Sequence, residues 1–460
     1  MLPRPAVFEI RFSERREITS VANTQTLANT ERNRIQSNDL AIHNWYQFVL
    51  GYPPHLVREY AERFGVTEDD VIFDPFCGTG TTPVEALKNG ISCYALEANP
   101  IAAFASRVKT YTDYEPEMLR EYLAYIHSSM RASYRYHGIV ELQEDLFTYK
   151  TRLMPVTINN LTDLPEQQKE VIPEGFISPK PLQKVLVIRE IIQRIENETI
   201  RNFFLLALAT FIVKDAGNVR FGPEVGRTKP KSDIESLTAF TNIAEGMIGD
   251  VQRTKLIGQA HIIYGDARQL DRYLPQNLRS GIDAVITSPP YPNEKDYTRS
   301  TRLESVLLDF IRNKRELRNI KETLLRSNSR NVFASDTDDR YVRRFSSITS
   351  IAEEIEQKRL DLNKTSGFEK HYKKIVLHYF GGMYRHFKTL KPFLAENCKL
   401  AYVVGDQMSF FRVPIRTAEL LVEIAESLGY KINSIVLWRT RAATATKMQI
   451  DENVLILENK

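Results

Sequence analysis

The chain reads as an α/β protein built on an open, largely parallel sheet that two long insertions interrupt, one helical and one basic. Three observations predict this. Val71-Ile-Phe73 is a short apolar run that ends in Asp74 and passes through Gly78-Thr-Gly80 into a helix start, the pattern of a buried strand feeding a helix. Ile91-Ser-Cys-Tyr-Ala-Leu96 repeats the pattern and is closed by Glu97. The next such strands, within His261 to Arg268 and at Asp283 to Thr287, come only after a segment too long to be a connecting loop.

The first turn predicts a cofactor cradle. Gly78 and Gly80 let the backbone approach a ligand, and Thr82-Pro83 reads as an N-cap followed by the residue best tolerated at a helix start. Asp74 falls at the carboxyl end of its strand, the edge at which open α/β sheets bind ligands. A nicotinamide or flavin site would want a third glycine to seat a pyrophosphate, and here Thr81-Thr82-Pro83 follows instead. An ordinary strand-to-helix turn explains a lone Gly-x-Gly equally well. Glu97 favours the cradle, because it lies roughly 20 residues on, where such folds place the acceptor for two ribose hydroxyls. A ribose without phosphates is expected.

Taken in order, residues 1–38 form a polar arm with scattered arginines, either lying on DNA or loosely attached. Residues 39–110 hold the first part of the sheet domain, with an amphipathic helix from Leu56 to Phe64 ahead of the glycine turn. Residues 111–255 read as a helical insertion, clearest at Leu119 to Tyr134, Pro181 to Ile195 and Thr199 to Lys214. Its loop from Arg220 to Lys231, which includes Arg227, suits either phosphate binding or plain solvation. Residues 256–292 resume the sheet and deliver Ser288-Pro-Pro-Tyr291 at a strand's carboxyl end. Residues 293–370 are the basic insertion. There a helical period anchored by Leu303, Leu307, Phe310 and Leu317 carries Arg312, Lys314, Arg315, Arg318, Lys321, Arg326 and Arg330, opposed only by Glu316 and Glu322. That bias favours a nucleic-acid surface over a solvated face. Residues 371–460 complete the domain: a helix from His371 to Leu390, a strand at Lys399 to Val404, a helix from Thr417 to Leu428, and an antiparallel edge pair at Ile432 to Trp438 and Val454 to Glu458. No room for a nuclease is expected after them.

Composition fits a water-soluble globular chain: 42% hydrophobic and 26% charged residues, with a formal charge of +4 that leaves nucleic-acid contact to local patches. Cys77, Cys93 and Cys398 have neither zinc-ligand nor disulfide spacing, which fits a reducing cytoplasm. No signal peptide is expected at Met1, and the apolar run Phe203 to Val213 is far short of the ~20 residues of a membrane span.

Asp74-Pro-Phe-Cys-Gly-Thr-Gly-Thr-Thr82 resembles the S-adenosyl-L-methionine (SAM) motif of amino-group DNA methyltransferases. Asp283-Ala-Val-Ile-Thr-Ser-Pro-Pro-Tyr291 resembles their catalytic motif, in the form typical of cytosine-N4 enzymes. The resemblance implies a Rossmann-like SAM-dependent methyltransferase sheet acting on double-stranded DNA. By it, Tyr46, Asp74, Phe76, Cys77, Gly78, Gly80, Thr81, Thr82, Glu97, Asn99 and Asp266 hold the cofactor. The loop from His43 to Pro54 closes over the methionine end, and Asp266 accepts from the adenine amine. Ser288, Pro289, Pro290 and Tyr291 perform the chemistry on a flipped base without a metal: Ser288 and the Pro289 carbonyl accept the amine hydrogens, and Tyr291 offers a flat face. DNA is expected on Arg220, Arg227, Arg299, Arg302, Arg315, Arg318 and Arg326. A restriction-modification setting with a separately encoded restriction endonuclease follows from the same resemblance. One departure is order, since many cytosine-N4 enzymes carry the catalytic motif first. The rivals are an adenine-N6 enzyme, which usually has Asp in place of Ser288, an RNA guanine-N2 methyltransferase, a non-catalytic recognition subunit and a nicotinamide oxidoreductase.

Overall fold

A computed structural model describes residues 34–47, 51–141, 151–221, 225–365, 367–442 and 449–460. Most of the arm at residues 1–38 and part of the segment from His43 to Pro54 lie outside the described residues.

The strands are β1 (Val71–Asp74), β2 (Ser92–Glu97), the short β3 (Val219–Arg220) and β4 (Gly226–Arg227), β5 (Ala260–Tyr264), β6 (Ile282–Thr287), β7 (Leu394–Gly405), β8 (Tyr430–Ala442) and β9 (Gln449–Asn459). Seven of them form one sheet in the order β5-β2-β1-β6-β7-β9-β8. The first five in that order are parallel, and β9 runs antiparallel to both β7 and β8. This is a mixed α/β, Rossmann-like sheet. β3 and β4 make a separate two-stranded ribbon within the stretch read from sequence as a loop.

The central strands are apolar without interruption because both faces are covered. Ile72, Ala284, Ile286, Ala401 and Val403 face α1 (Pro54–Phe64), through Leu56, Val57 and Tyr60. Phe73, Val285, Leu400, Tyr402 and Val404 face the opposite layer. The connections after β1 and β2 are α2 (Thr81–Lys88) and α3 (Pro100–Lys109). Between β2 and β5 lie α4 (Pro116–His137), α5 (Glu166–Lys169), α6 (Pro179–Gln193), α7 (Glu198–Phe211) and α8 (Leu237–Arg253), of which α4, α6, α7 and α8 share one core with α3. Trp45 joins that core and donates to Asp250 of α8.

After α9 (Leu270–Tyr273) and β6 come α10 (Tyr297–Ser300), α11 (Arg302–Leu307), α12 (Lys314–Thr323) and α13 (Ser346–Asp361). The single helical period expected through Leu303 and Leu317 is broken. Asp309 takes a positive φ of 63°, and Asn313 restarts the helix by accepting from the Glu316 backbone. The last layer is α14 (Tyr372–Leu390) and α15 (Thr417–Ser427).

A buried charge network fastens this second insertion to the sheet. Asp338 accepts from Arg268 after β5 at 2.9 Å and from Arg385 of α14 at 2.8 Å. Both arginines hold its carboxyl below the usual carboxylate range, against the opposing effect of burial. Removing one partner of a buried pair strands the other charge. Asp338→Ala is therefore expected to destabilise the protein by roughly 3–5 kcal/mol in denaturant titration; a loss within error would show that the insertion is not anchored here.

Candidate active site

The neighbours β2, β1 and β6 end at the same edge, so the turns that follow them stand side by side. They line a cavity of about 210 Å³, together with the turn after β5 and the ends of β8 and β9. Phe76, Cys77, Gly78, Thr81, Glu97, Asn99, Asp266 and all of Ser288 to Tyr291 line it. Tyr46, Asp74, Gly80 and Thr82 do not.

The cradle depends on backbone geometry. Gly78 and Gly80 have φ of 53° and 92°, and nothing stands within 4 Å of where a Gly78 side chain would begin. The Gly78 backbone N–H donates to Glu97 at 2.9 Å, and that of Asn99 donates to the same carboxylate at 2.7 Å. Glu97 thus binds the β1 turn to the β2 turn while retaining acceptor capacity on the cavity side. Burial pushes its carboxyl up to about 7, against the pull of these N–H groups. Phe76 adds an apolar ring, itself packed 5.0 Å from His386.

Four residues expected at the cofactor lie off the cavity wall. Asp74 is wholly buried beneath the cradle, where it accepts from Phe76 N at 3.0 Å, Thr287 Oγ1 at 2.6 Å and Tyr52 Oη at 2.6 Å. Its part is to join pieces of protein. Thr82 is not the N-cap: the helix begins at Thr81 behind Gly80, and the Thr82 hydroxyl is taken up by the Ile286 carbonyl and Tyr52. Gly80 serves the fold by packing against Ser106 of α3. Tyr46 is buried elsewhere, donating to Glu304 at 2.6 Å, and Tyr52 takes the place at the cavity.

Asp266 reaches the cavity with its oxygens already engaged. It accepts from the backbone and side chain of Arg268 and from Gln269 Nε2, which fills the directions a carboxylate offers. An adenine amine would have to displace one of them.

In the loop after β6, the Ser288 hydroxyl donates to the Val403 carbonyl at 3.1 Å. With that proton committed, Oγ turns acceptor lone pairs to any further partner. The Tyr291 hydroxyl donates to Glu452 at 2.8 Å, and Glu452 is ion-paired with Arg439. Sequence reasoning missed Tyr52, Lys295, Tyr297, Thr323 to Leu325, Trp438, Arg439, Arg441 and Glu452, all of which line the cavity. Placing β8 and β9 beside β7 was the available signal, because it carries their ends to the same edge.

The arginines divide into two groups. Arg220, Arg227, Arg315 and Arg318 are exposed, although Arg318 pairs with Glu322 and lies over Phe333. Arg302 and Arg326 are buried, contrary to expectation, and Arg299 is half-buried. Arg302 is spent on Thr298, and Arg326 grips Asp336 at 2.9 and 2.6 Å. Among the described residues no cluster of three or more His, Cys, Asp or Glu is arranged to hold a metal, and no helix is long and apolar enough to cross a membrane.

Residues 55–134 match the UPF0020 family, described as an RMKL-like methyltransferase domain. Three curated relatives align more widely. The Type II methyltransferase M.BsoBI of Geobacillus stearothermophilus is 26% identical over 94% of this chain and 87% of its own length. The Type II methyltransferase M.AvaI of Nostoc sp. is 22% identical over 86% and 81%. The Type II methyltransferase M.MvaI of Kocuria varians is 25% identical over 58% of each chain.

One pH dependence follows from Glu97. Its carboxyl takes up a proton as pH falls through about 7, and the ionised form is the better acceptor for hydroxyl donors. If a cofactor ribose such as that of SAM donates to Glu97, affinity should be complete near pH 8 and fall below about pH 7, by up to about tenfold per unit. Calorimetry across that range, with Glu97→Gln expected to flatten the profile, checks this; constant wild-type affinity would contradict it. Together the sheet order, the matched domain and these relatives support a methyltransferase.

Proposed function

We propose that this chain transfers the methyl group of SAM to the exocyclic N4 of a flipped cytosine in double-stranded DNA. The observation that carries the reading is that Ser288-Pro-Pro-Tyr291 and the Gly78–Glu97 cradle open into one cavity. The residues present suit SAM: Glu97 for the ribose, Phe76 as an apolar wall, and a glycine turn without a built phosphate seat. When bound, SAM supplies a methyl group already activated by its sulfonium.

An exocyclic amine is a poor nucleophile because its lone pair is delocalised into the ring. Ser288 Oγ and the Pro289 carbonyl each accept one amine hydrogen, which draws the nitrogen toward tetrahedral geometry and frees the lone pair. Ser288 suits this because Val403 already holds its proton. Pro290 restricts the backbone of Pro289 before it, which fixes the direction of that carbonyl. Tyr291 gives the base a flat face once it has left the helix stack. Alignment supplies much of the acceleration. The serine, where adenine-N6 enzymes usually carry Asp, supports cytosine as the base. The Type II methyltransferase relatives support DNA as substrate; a duplex substrate, a restriction-modification role beside a separate endonuclease and a cytoplasmic setting are part of the same proposal.

With purified protein and duplex DNA, Ser288→Ala should bind SAM within about twofold of wild type yet lose kcat by roughly a hundredfold. Wild-type turnover in this variant would refute the mechanism. For the DNA surface, Arg315→Ala and Arg220→Ala should each weaken binding and lower the salt slope by about one. An unchanged slope would return both residues to simple solvation.

A further inference from the structure

We propose that Glu452, braced by Arg439, is a positioning residue that fixes the Tyr291 ring for the incoming base, so that the C-terminal hairpin completes the catalytic loop. The inference rests on reading Ser288 to Tyr291 as the methyl-transfer loop.

Three strands contribute to the seat. Gly405 of β7 is the register partner of Glu452 on β9, and Glu452 is the register partner of Arg439 on β8. These residues therefore form one row across the sheet at its ligand-binding edge. Each has a distinct part. Gly405 offers bare backbone: a side chain there would begin 2.9 Å from Tyr291 Cε2, so the ring lies where any other residue would intrude. Glu452 takes the hydroxyl at 2.8 Å through Oε1. Arg439 takes the other oxygen, Oε2, and neutralises the acid. The ring is thus held at its edge and at its tip before a base arrives.

Packing alone does not call for this arrangement. Glu452 is only 5% exposed, and burying a charged pair is seldom better for stability than apolar residues of the same volume. A phenylalanine above an apolar residue would fill the space. What the pair adds is a fixed ring orientation, which spares the ordering cost of catching a base on a mobile side chain. Its placement also agrees with a task at the cavity, since Tyr291, Arg439 and Glu452 all line it.

The test is a mutant cycle on methyl transfer to duplex DNA. Tyr291→Phe keeps the ring and removes the grip, Glu452→Ala removes it from the other side, and Glu452→Gln restores an acceptor. Tyr291→Phe and Glu452→Ala should each lower kcat about tenfold with SAM affinity unchanged, Glu452→Gln should recover most of the loss, and the double variant should be no worse than Glu452→Ala. Wild-type kcat in Tyr291→Phe, or losses that multiply in the double variant, would overturn the proposal. Should Glu452→Ala fail to fold, Glu452→Leu, which fills the volume and removes the acceptor, takes its place in the cycle on the same terms. If the wild-type protein methylates no DNA, the functional reading fails, and the seat is judged separately by fluorine NMR of 3-fluorotyrosine at position 291. A resonance displaced from free fluorotyrosine that returns toward it in Glu452→Leu, which keeps volume but offers no acceptor, supports the seat; one that Glu452→Leu leaves unmoved overturns it.

Discussion

The buried carboxylate of Asp74 holds the two halves of the site in fixed relation. Burial raises its pKa, and the hydroxyls of Thr287 and Tyr52 and the Phe76 backbone oppose that rise by donating to it. Those donors come from the end of β6, the segment before α1, and the turn after β1. Thr287 directly precedes Ser288, so the interaction sets where the Ser288–Tyr291 loop begins relative to the glycine turn. Residues 213 positions apart in sequence become parts of one site through a single side chain. The Tyr52 hydroxyl also meets Thr82, which extends the tie to the first turn of α2.

Much of the architecture was legible because it depends on local signals. Uninterrupted apolar runs marked β1 and β6, and helical periodicity marked α4, α6 and α14. The glycine turn was legible for the same reason, since Gly78 must adopt a backbone that few other residues tolerate. What sequence could not supply was the direction in which a polar side chain is satisfied. Asp74 and Glu97 both close a short strand, yet Asp74 finds donors beneath the turn and Glu97 stands at the cavity. Asp266 was placed correctly on its strand end, but Arg268 folds back onto it. Arg326 looked like its basic neighbours until Asp336, ten residues on, enclosed it. Tyr52 rather than Tyr46 reaches the cavity, and nothing local distinguishes two tyrosines six residues apart. Glu452 was hidden because its importance arises from the register of a hairpin.

The second insertion is more closely involved in the site than its composition suggested. Thr323 to Leu325 line the cavity, and Arg268, which also lines it, is paired to Asp338 of the same insertion. The exposed arginines of α12 therefore stand on a segment whose end forms part of the cavity wall. A surface that contacts DNA there would be rigidly linked to the pocket that receives the base. Under the proposed function, that arrangement would favour precise placement of a flipped nucleotide for methyl transfer by alignment.

The central claim is that one cavity brings a SAM-type cofactor and a cytosine amine together at Ser288. Nucleoside mass spectrometry of DNA and total RNA, from a host expressing the wild-type chain or Ser288→Ala, tests it most directly. The account predicts N4-methylcytosine in the DNA of the first and none in the second. N6-methyladenine in its place, or a new mark confined to RNA, would contradict it.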